Sequence, residues 1–199
     1  MPYSPEHKQK TRATIVETAR ILFNRHGFNG VSIDMVMETA GLTRGGFYNH
    51  FKNKEELFSE AVMSFLMGRG AEWRGEAGVD VTNLCPEMAH QMIDAYLSDA
   101  HLGDLDGQCP MIALPSDIAR GGVAAQESFQ QLLDAMVWLF ETNMEDAPDN
   151  HQWAQSISAL CIGGMVLARA LPSSDLAQGV KAAARQSAMA LLAQRQAAT

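Results

Sequence analysis

The sequence predicts an all-α fold of about nine helices, arranged as an N-terminal three-helix head and a larger C-terminal helical body. Apolar residues recur at intervals of three and four, which places them on one face of a helix, and no segment alternates at every second residue as a strand does. Ser, Thr and Asn stand where helices would begin, and Gly or Pro stands where they would end. A chain of 199 residues can bury one or two cores of this kind.

The first helix is predicted to begin at Ser4 and to end near Gly27. The Ser4 hydroxyl suits a helix cap, and the proline that follows it suits a first turn. Gly27 offers the left-handed conformation in which many helices end. The inward face of this helix is formed by Ile15, Ala19, Leu22 and Phe23.

Two short helices follow, and they are joined by a turn that contains Gly41. Ser32 is expected to cap the first of them and Thr43 the second. Two short helices linked by a three- or four-residue turn with glycine form a helix-turn-helix unit. Since the second helix of such a unit enters the major groove of DNA, we expect a DNA-binding head.

The body is predicted to start with a long helix, which opens on a capping-box pattern at Asn53. Its inward residues continue to Leu66. Five further helices complete the body, one of them bent at Pro115. We therefore expect a DNA-binding domain over residues 1–53 and a helical domain over residues 54–199.

Charge is distributed unevenly between these two parts. Residues 1–54 carry eight basic and four acidic side chains, whereas residues 55–199 carry seven basic and nineteen acidic ones, within a net charge of −8. A locally basic head on an acidic body directs the head towards phosphate groups. The asymmetry agrees with a DNA partner but is not sufficient to establish one.

Several functional classes find no support in the sequence. The three cysteines are far apart and form no CxxC pair, so we expect neither a disulfide framework nor a metal site. The six histidines are scattered, without the HExxH, GxSxG or GxGxxG patterns, so we expect no enzyme, no catalytic residues and no cofactor. No apolar run is long enough to span a membrane and no export signal begins the chain, which favours a cytoplasmic protein without a membrane partner.

One ordered motif is more specific than these general features. The string Gly45-Gly-Phe-Tyr-Asn-His-Phe is followed three residues later by Lys54-Glu-Glu-Leu. Residues 12–57 as a whole resemble the TetR/AcrR family of bacterial repressors, and beyond them the resemblance is one of architecture only. The resemblance implies a homodimer that binds a double-stranded DNA operator and is released by a small-molecule effector.

The resemblance and the position of the recognition helix together define the candidate DNA contacts. Arg44 would bond to a guanine edge through two hydrogen bonds, or else contact a phosphate. Gly45 and Gly46 each cost a helix roughly 1 kcal/mol relative to alanine, yet they let the backbone approach DNA closely. The candidates are Ser32, Thr43, Arg44, Gly45, Gly46, Tyr48, Asn49, His50 and Lys54.

Three of these candidates also have a simple structural interpretation. Ser32 and Thr43 would contact phosphates, or would only cap their helices. His50 would contact the DNA backbone, or would belong to the core of the head.

The body contains adaptable apolar side chains that suit a pocket for a small apolar effector, although ordinary core packing explains each of them as well. His90 and Arg120 are the candidate polar anchors. The candidate ligand contacts are Phe65, Trp73, Met88, Met92, Tyr96, Cys109, Met111, Met136 and Phe140.

The resemblance also implies that the last two helices pair with those of a second subunit. Intramolecular packing would use the same residues. The candidate dimer contacts are Trp153, Ile157, Leu160, Gly164, Ala168, Leu176, Val180, Ala184 and Leu191.

Two alternatives keep the same fold. Cys109 lies at the start of a helix, where amides can lower a thiol pKa, so the protein would sense oxidants or electrophiles. The amide missing at Pro110 and the nearby Asp104 and Asp106 oppose that shift. The other alternative is an architectural or cell-division factor that binds DNA without regulating a promoter.

Overall fold

The protein is described here from a computed structural model, which describes residues 4–83, 85–144 and 148–197, with side chains up to residue 194. These residues form helices and connecting turns without a β-strand. The helices are α1 (Pro5–His26), α2 (Ile33–Thr39), α3 (Arg44–Phe47), α4 (Lys54–Ser64), α5 (Arg69–Glu76), α6 (Pro86–Tyr96), α7 (Asp99–Gly103), α8 (Pro110–Ala113), α9 (Pro115–Arg120), α10 (Val123–Thr142), α11 (Asn150–Ala170) and α12 (Asp175–Ala197).

The helix starts in the head follow local hydrogen bonds, as the sequence predicts. The Ser4 hydroxyl accepts a hydrogen bond from the His7 amide at 3.2 Å. The Ser32 hydroxyl accepts one from the Met35 amide at 3.1 Å. Thr43 differs, because its side chain makes no capping hydrogen bond to α3. The prediction that the Thr43 side chain caps the recognition helix is therefore wrong.

The described residues contain more helices than the nine expected, and local breaks explain the difference. The long helix predicted after Asn53 ends at Ser64, and Gly70 then donates its amide to the Phe65 carbonyl at 2.8 Å. A Cβ at Gly70 would lie 2.6 Å from that carbonyl, so this tight turn requires glycine. Pro115 begins α9 directly after α8, because proline cannot continue the preceding helix.

The remaining additional helix, α7, is a short helix after α6 that the sequence did not predict. Ser98 starts it, since the Ser98 hydroxyl accepts a hydrogen bond from the His101 amide at 3.1 Å. A serine cap before a run of only five residues gives little periodic signal in the sequence.

A single apolar core runs through the described part of the chain, from Ile15 in α1 to Leu192 in α12. In the head, α2 packs against α1 and α3. In the body, α10 lies between α4 and α11, and α11 packs along α12. The helix α4 contacts both α1 and α10, so it connects the two parts. None of the described helices is both long and apolar enough to cross a membrane.

A buried polar joint fixes the carboxyl-terminal half of α1 on the body. Asn24 donates its side-chain amide to the Gln108 carbonyl at 2.7 Å. Arg169 in α11 donates to the Asn24 carbonyl at 2.8 Å and also to Gln108 Oε1. Gln108 is fully buried, and its amide donates to the His101 carbonyl at 3.2 Å. These three side chains define the head–body joint.

Ion pairs at the surface extend this joint. Arg25 pairs with the Asp106 carboxylate through two hydrogen bonds, and one of them spans 2.7 Å. Arg20 donates to the Asp106 carbonyl at 2.6 Å. The loop before α8 therefore contacts α1 through backbone and side-chain groups.

Replacing Arg169 by methionine should destabilise the protein by about 2–4 kcal/mol, because two buried acceptors, on Asn24 and Gln108, would lose their donor. Urea unfolding followed by circular dichroism measures this change. The matched control is Arg185→Met, since Arg185 pairs with Asp94 at an exposed site and should cost less than about 1 kcal/mol. If both variants lose the same free energy of unfolding, the head–body joint contributes no more stability than an exposed ion pair.

Candidate nucleic-acid interface and body cavity

The start of the recognition helix α3 is exposed and lacks side-chain bulk. Arg44 and Gly45 are exposed, and Gly46 is partly exposed. A Cβ at Gly45 would contact nothing, and one at Gly46 would meet only Met37 and Thr43 side-chain atoms at ordinary contact distance. The packing of the described chain therefore does not require these two glycines, although each lowers helix stability. An external surface that approaches this backbone closely would explain them.

Arg44 extends from this surface and is held by one carboxylate. Its guanidinium donates to Asp34 of α2 at 2.7 Å, and both side chains are more than half exposed. A water-exposed ion pair contributes at most about 1 kcal/mol. Arg44 can therefore exchange Asp34 for a guanine edge or a phosphate at small cost.

The polar side chains near the start of α3 differ in the contacts that they already make within the chain. Ser32 is exposed and its oxygen accepts the α2 cap bond, so its O–H remains able to donate. Thr43 is exposed and makes no cap bond to α3. Tyr48 is 58% exposed and its ring packs edge-on against Phe47 with a centroid separation of 5.2 Å. Asn49 is exposed beside it.

Lys54, predicted as a phosphate contact, has a structural role at the first turn of α4. Its ammonium donates to the carbonyls of Phe28 at 2.9 Å and Val31 at 3.0 Å. It also lies 4.0 Å from the centroid of the Phe28 ring. An ammonium has three protons, so two hold the loop before α2 and one remains for a phosphate. The contact of Lys54 with DNA stays a prediction.

Two aromatic residues anchor α3 and the turn after it in the apolar core. Phe47 and Phe51 are buried. Arg12 of α1 lies 4.1 Å from the centroid of Phe51 and donates to the His50 carbonyl. Its guanidinium also forms an ion pair with Glu60 of α4. Arg12 thus ties the turn after α3 to both α1 and α4.

A groove of about 620 Å³ separates α3 from the start of α1. Lys8 and Thr11 line it together with the predicted contacts Thr43 and Asn49. Sequence reasoning missed Lys8 and Thr11 as site residues, although the basic cluster near the start of α1 was a signal. The positive charge of Lys8 increases the attraction of the groove for phosphate groups.

His50 also lines this groove, and it is half-buried. Burial lowers its pKa, and the positive charges of Lys8 and Arg12 lower it further. His50 is therefore neutral at pH 7. Its Nδ1 is buried without a hydrogen-bond partner among the described residues.

The body contains a cavity of about 190 Å³ between the end of α4 and helices α5, α6, α8 and α10. It brings together seven predicted ligand contacts: Phe65, Trp73, Met92, Tyr96, Cys109, Met111 and Met136. Met88 and Phe140 do not line it, and Phe140 is fully buried in the core instead. Helical periodicity identifies inward residues but does not distinguish cavity walls from close packing.

Sequence reasoning missed other residues of this cavity, and the polar anchors differ from those expected. Arg120 lies at the surface beside Asp117, and the His90 ring contacts Met189, so neither lines the cavity. Arg74 is its charged lining residue. The other residues missed are Leu66, Met67, Val81, Leu132, Ala135, Trp138 and Leu139.

The Cys109 thiol is buried in the cavity wall. Burial raises its pKa to about 11, against the lowering effects of the Met111 amide and the Tyr96 hydroxyl. The thiol is therefore protonated at neutral pH. This outcome opposes the expectation that a helix start would favour the thiolate.

The two last helices use several predicted dimer contacts within one chain. A Cβ at Gly164 would lie 2.5 Å from the Ala184 Cβ, so this glycine allows the close contact between α11 and α12. Ile157 and Ala168 are also buried. Gly164, Ala184, Ile157 and Ala168 thus pack within one chain, and their contact with a second subunit stays a prediction. Trp153, Leu160, Val180 and Leu191 are half-buried, and Leu176 is exposed.

The apolar side chains that remain exposed on this helix pair include the predicted Leu176 and also Leu167, which the prediction did not contain. Leu167 is 55% exposed on α11, and Leu176 is 63% exposed at the start of α12. Side chains added at Gly163 and Gly179 would meet no atom of the described chain.

Comparisons with known proteins agree with this geometry. A family model described as "Bacterial regulatory proteins, tetR family" matches residues 15–61. The chain is 44% identical to the Transposon Tn10 TetC protein of Escherichia coli over 135 residues, which are 68% of this chain and 49% of that protein. It is 41% identical to a probable acrEF/envCD operon repressor of Escherichia coli strain K12 over 51 residues, or 26% of this chain and 23% of that protein. The chain thus spans half or less of these curated relatives.

The fold is shared more widely than the sequence. A TetR-family transcriptional regulator from Cytophaga hutchinsonii superposes with a TM-score of 0.71 at 22% identity, covering 98% of each chain. This likeness concerns the fold alone. The family model, the relatives and the motif at residues 45–57 identify the family, and the shared fold agrees with it. The protein belongs to the TetR family of bacterial regulatory proteins.

Proposed function

We propose that this protein is a dimeric DNA-binding transcriptional regulator, a repressor that leaves a palindromic operator when a small apolar effector binds its body. The observation that carries the proposal is the exposed, glycine-containing start of α3 with Arg44 extending from it. The name of one relative describes an operon repressor, which supports repression here. In this proposal residues 1–53 bind DNA, residues 54–199 bind the effector and the second subunit, and the DNA partner implies a cytoplasmic location.

The helix α4 would transmit the effect of the ligand. Phe65, Leu66 and Met67, directly after its last residue, line the cavity. Lys54, its first residue, holds the loop before α2. An effector that fits the cavity better when α4 is displaced would shift the population towards a head orientation that does not fit DNA.

Dimerisation follows from the symmetry of such an operator. Two recognition helices must be spaced about one DNA turn apart, roughly 34–36 Å, or a multiple of it. The open face around Leu167 and Leu176 offers apolar surface for this contact. The half-buried Trp153, Leu160, Val180 and Leu191 would complete it.

The alternatives receive less support. A sensor based on Cys109 needs a thiolate, and burial opposes its formation. An architectural or cell-division factor would use the same head, and genome-wide binding separates it from a repressor. A few sites near promoters support the repressor, whereas many scattered sites contradict it.

Replacing Arg44 by alanine should reduce discrimination between the best DNA site and a mismatched site by about 1–3 kcal/mol, because one bidentate base contact would be lost. The site is first selected from random duplexes by the purified protein, and affinities are then measured by fluorescence anisotropy at fixed salt. Arg185→Ala, on the distant helix α12, is the control and should bind as the wild type does. Equal weakening on both DNAs would mean that Arg44 contacts only phosphate, and failure to enrich any sequence would contradict the proposed function.

Replacing Leu167 by glutamate should convert the dimer into a monomer, since a charge would be buried in an apolar interface. Sedimentation velocity measures the change, and circular dichroism shows that the variant is folded. Val123→Glu is the control, because Val123 is similarly exposed at the start of α10. A Leu167→Glu protein that sediments as a dimer would place the interface elsewhere.

Cys109 should react slowly with iodoacetamide in the folded protein. With a pKa of about 11, about one thiol in ten thousand is ionised at pH 7, and the fraction rises about tenfold per pH unit. Mass spectrometry of the Cys109 peptide at pH 7, 8 and 9 tests this slope. A urea-unfolded sample controls for the reagent, and rapid labelling at pH 7 would restore the sensor alternative.

A further inference from the structure

We propose that the body cavity takes a small apolar acid, a molecule of about one aromatic ring whose carboxylate meets Arg74 and the Tyr96 hydroxyl. The inference rests on the proposed function, in which this cavity is the effector site, and it names the chemical class of the effector.

The size and walls of the cavity define the apolar part of the ligand. Its volume of about 190 Å³ exceeds the roughly 150 Å³ in which a protein cavity can hold benzene. Apart from Arg74, its lining consists of aromatic, aliphatic and sulfur-containing side chains. Trp73 and Met92, from different helices, exemplify walls that suit a flat ring.

Arg74 gives the cavity a positive charge without a matching negative one. It is half-buried, and its guanidinium donates to the Leu66 carbonyl at 3.0 Å. Among the described residues no carboxylate lies within ion-pair distance of it, and no acidic side chain lines the cavity. A guanidinium has five N–H donors, so donors remain for a carboxylate.

Tyr96 supplies a second, unused donor. The residue is 1% exposed, and its hydroxyl makes no hydrogen bond of normal geometry among the described residues, although the Cys109 thiol, a weak acceptor, lies close to it. A buried hydroxyl without a partner is unfavourable, and a ligand oxygen would satisfy it. Burial raises the Tyr96 pKa, so the hydroxyl is protonated and donates.

Both donors line the cavity, and Cys109 interacts with each of them. The Cys109 thiol lies close enough to affect the pKa of both: burial lowers the Arg74 pKa and Cys109 raises it, while burial and then Cys109 raise the Tyr96 pKa. All three residues line the cavity. In the proposed complex, one carboxylate oxygen accepts from Arg74 and the other accepts from Tyr96.

The mouth of the cavity is apolar and open to solvent. Three of its lining residues, Met67, Val81 and Trp138, are 81%, 40% and 47% exposed. Large apolar side chains exposed together mark a binding site more often than scattered ones do. They offer a path by which an apolar molecule enters with its ring in contact with protein.

The test uses matched pairs of single-ring acids and their neutral amides: benzoate with benzamide, phenylacetate with phenylacetamide, and 3-phenylpropionate with its amide. Binding to the full chain is followed by tryptophan fluorescence, because Trp73 and Trp138 line the cavity, and by calorimetry. At least one acid should bind at least about tenfold more tightly than its amide. The inference is overturned if every acid binds with a Kd above about 10 mM, or if the amides bind equally well.

Two variants connect the preference to the named residues. Arg74→Gln should abolish the difference between acid and amide, and Arg120→Gln, an arginine outside the cavity, should retain it. Tyr96→Phe should weaken acid binding while raising the melting temperature of the free protein by about 2–4 °C, because an unsatisfied buried hydroxyl is removed. A merely structural tyrosine would not give this opposite pair of effects. If Arg74→Gln fails to fold, Tyr96→Phe still decides, since unchanged acid binding there contradicts the inference.

Failure of the inference and failure of the proposed function are distinguishable. The same preparation is tested for sequence-specific DNA binding without any acid. Specific DNA binding without acid preference overturns the ligand assignment and leaves the regulator intact. Acid preference without specific DNA binding retains the ligand site and contradicts the regulator.

Discussion

The hydrogen bonds that join the buried Asn24 and Gln108 to each other and to the half-buried Arg169 are the constraint on which the arrangement of head and body depends. They connect α1, the loop before α8 and α11 at one point, inside the protein, where an unpaired polar group would be costly. The head is therefore seated on the body by directional bonds as well as by apolar packing. A movement of α11 or of the loop before α8 would therefore also displace α1.

The helix α4 provides a second connection, and it differs in kind. Its first residue, Lys54, holds backbone carbonyls of the head, whereas the turn after its last residue forms a wall of the cavity. Arg12 and Glu60 attach its middle to α1 and to the turn after α3. The head is thus held at two places, a fixed polar joint and a helix that reaches the cavity. A regulator of the proposed kind needs both connections. A ligand can change the orientation of the head through α4 only if the polar joint keeps the head attached to the body.

Much of the fold could be predicted from local sequence. Ser4, Ser32 and Asn53 begin helices because each side chain accepts a nearby amide three residues on. The turn at Gly70 was missed, since a tight turn inside an apolar run leaves the spacing of apolar residues almost unchanged. The short α7 was missed because five residues give little periodic signal. The predicted dimer contacts share a related ambiguity. Periodicity identified Gly164 and Ala184 as facing a helix, but it could not tell a neighbour in the same chain from one in a partner.

The sequence by itself determined the all-helical class, the helix-turn-helix head and the family motif, because these depend on residues within a few positions of one another. Only the tertiary structure decided that Lys54 holds a loop, that Arg74 and Tyr96 share a cavity, and that the Cys109 thiol stays protonated. Each of these outcomes depends on burial or on groups distant in the chain, as with Asn24 and Arg169, which are 145 positions apart. Spacing along a helix carries no information about such contacts, since they arise only when the helices pack.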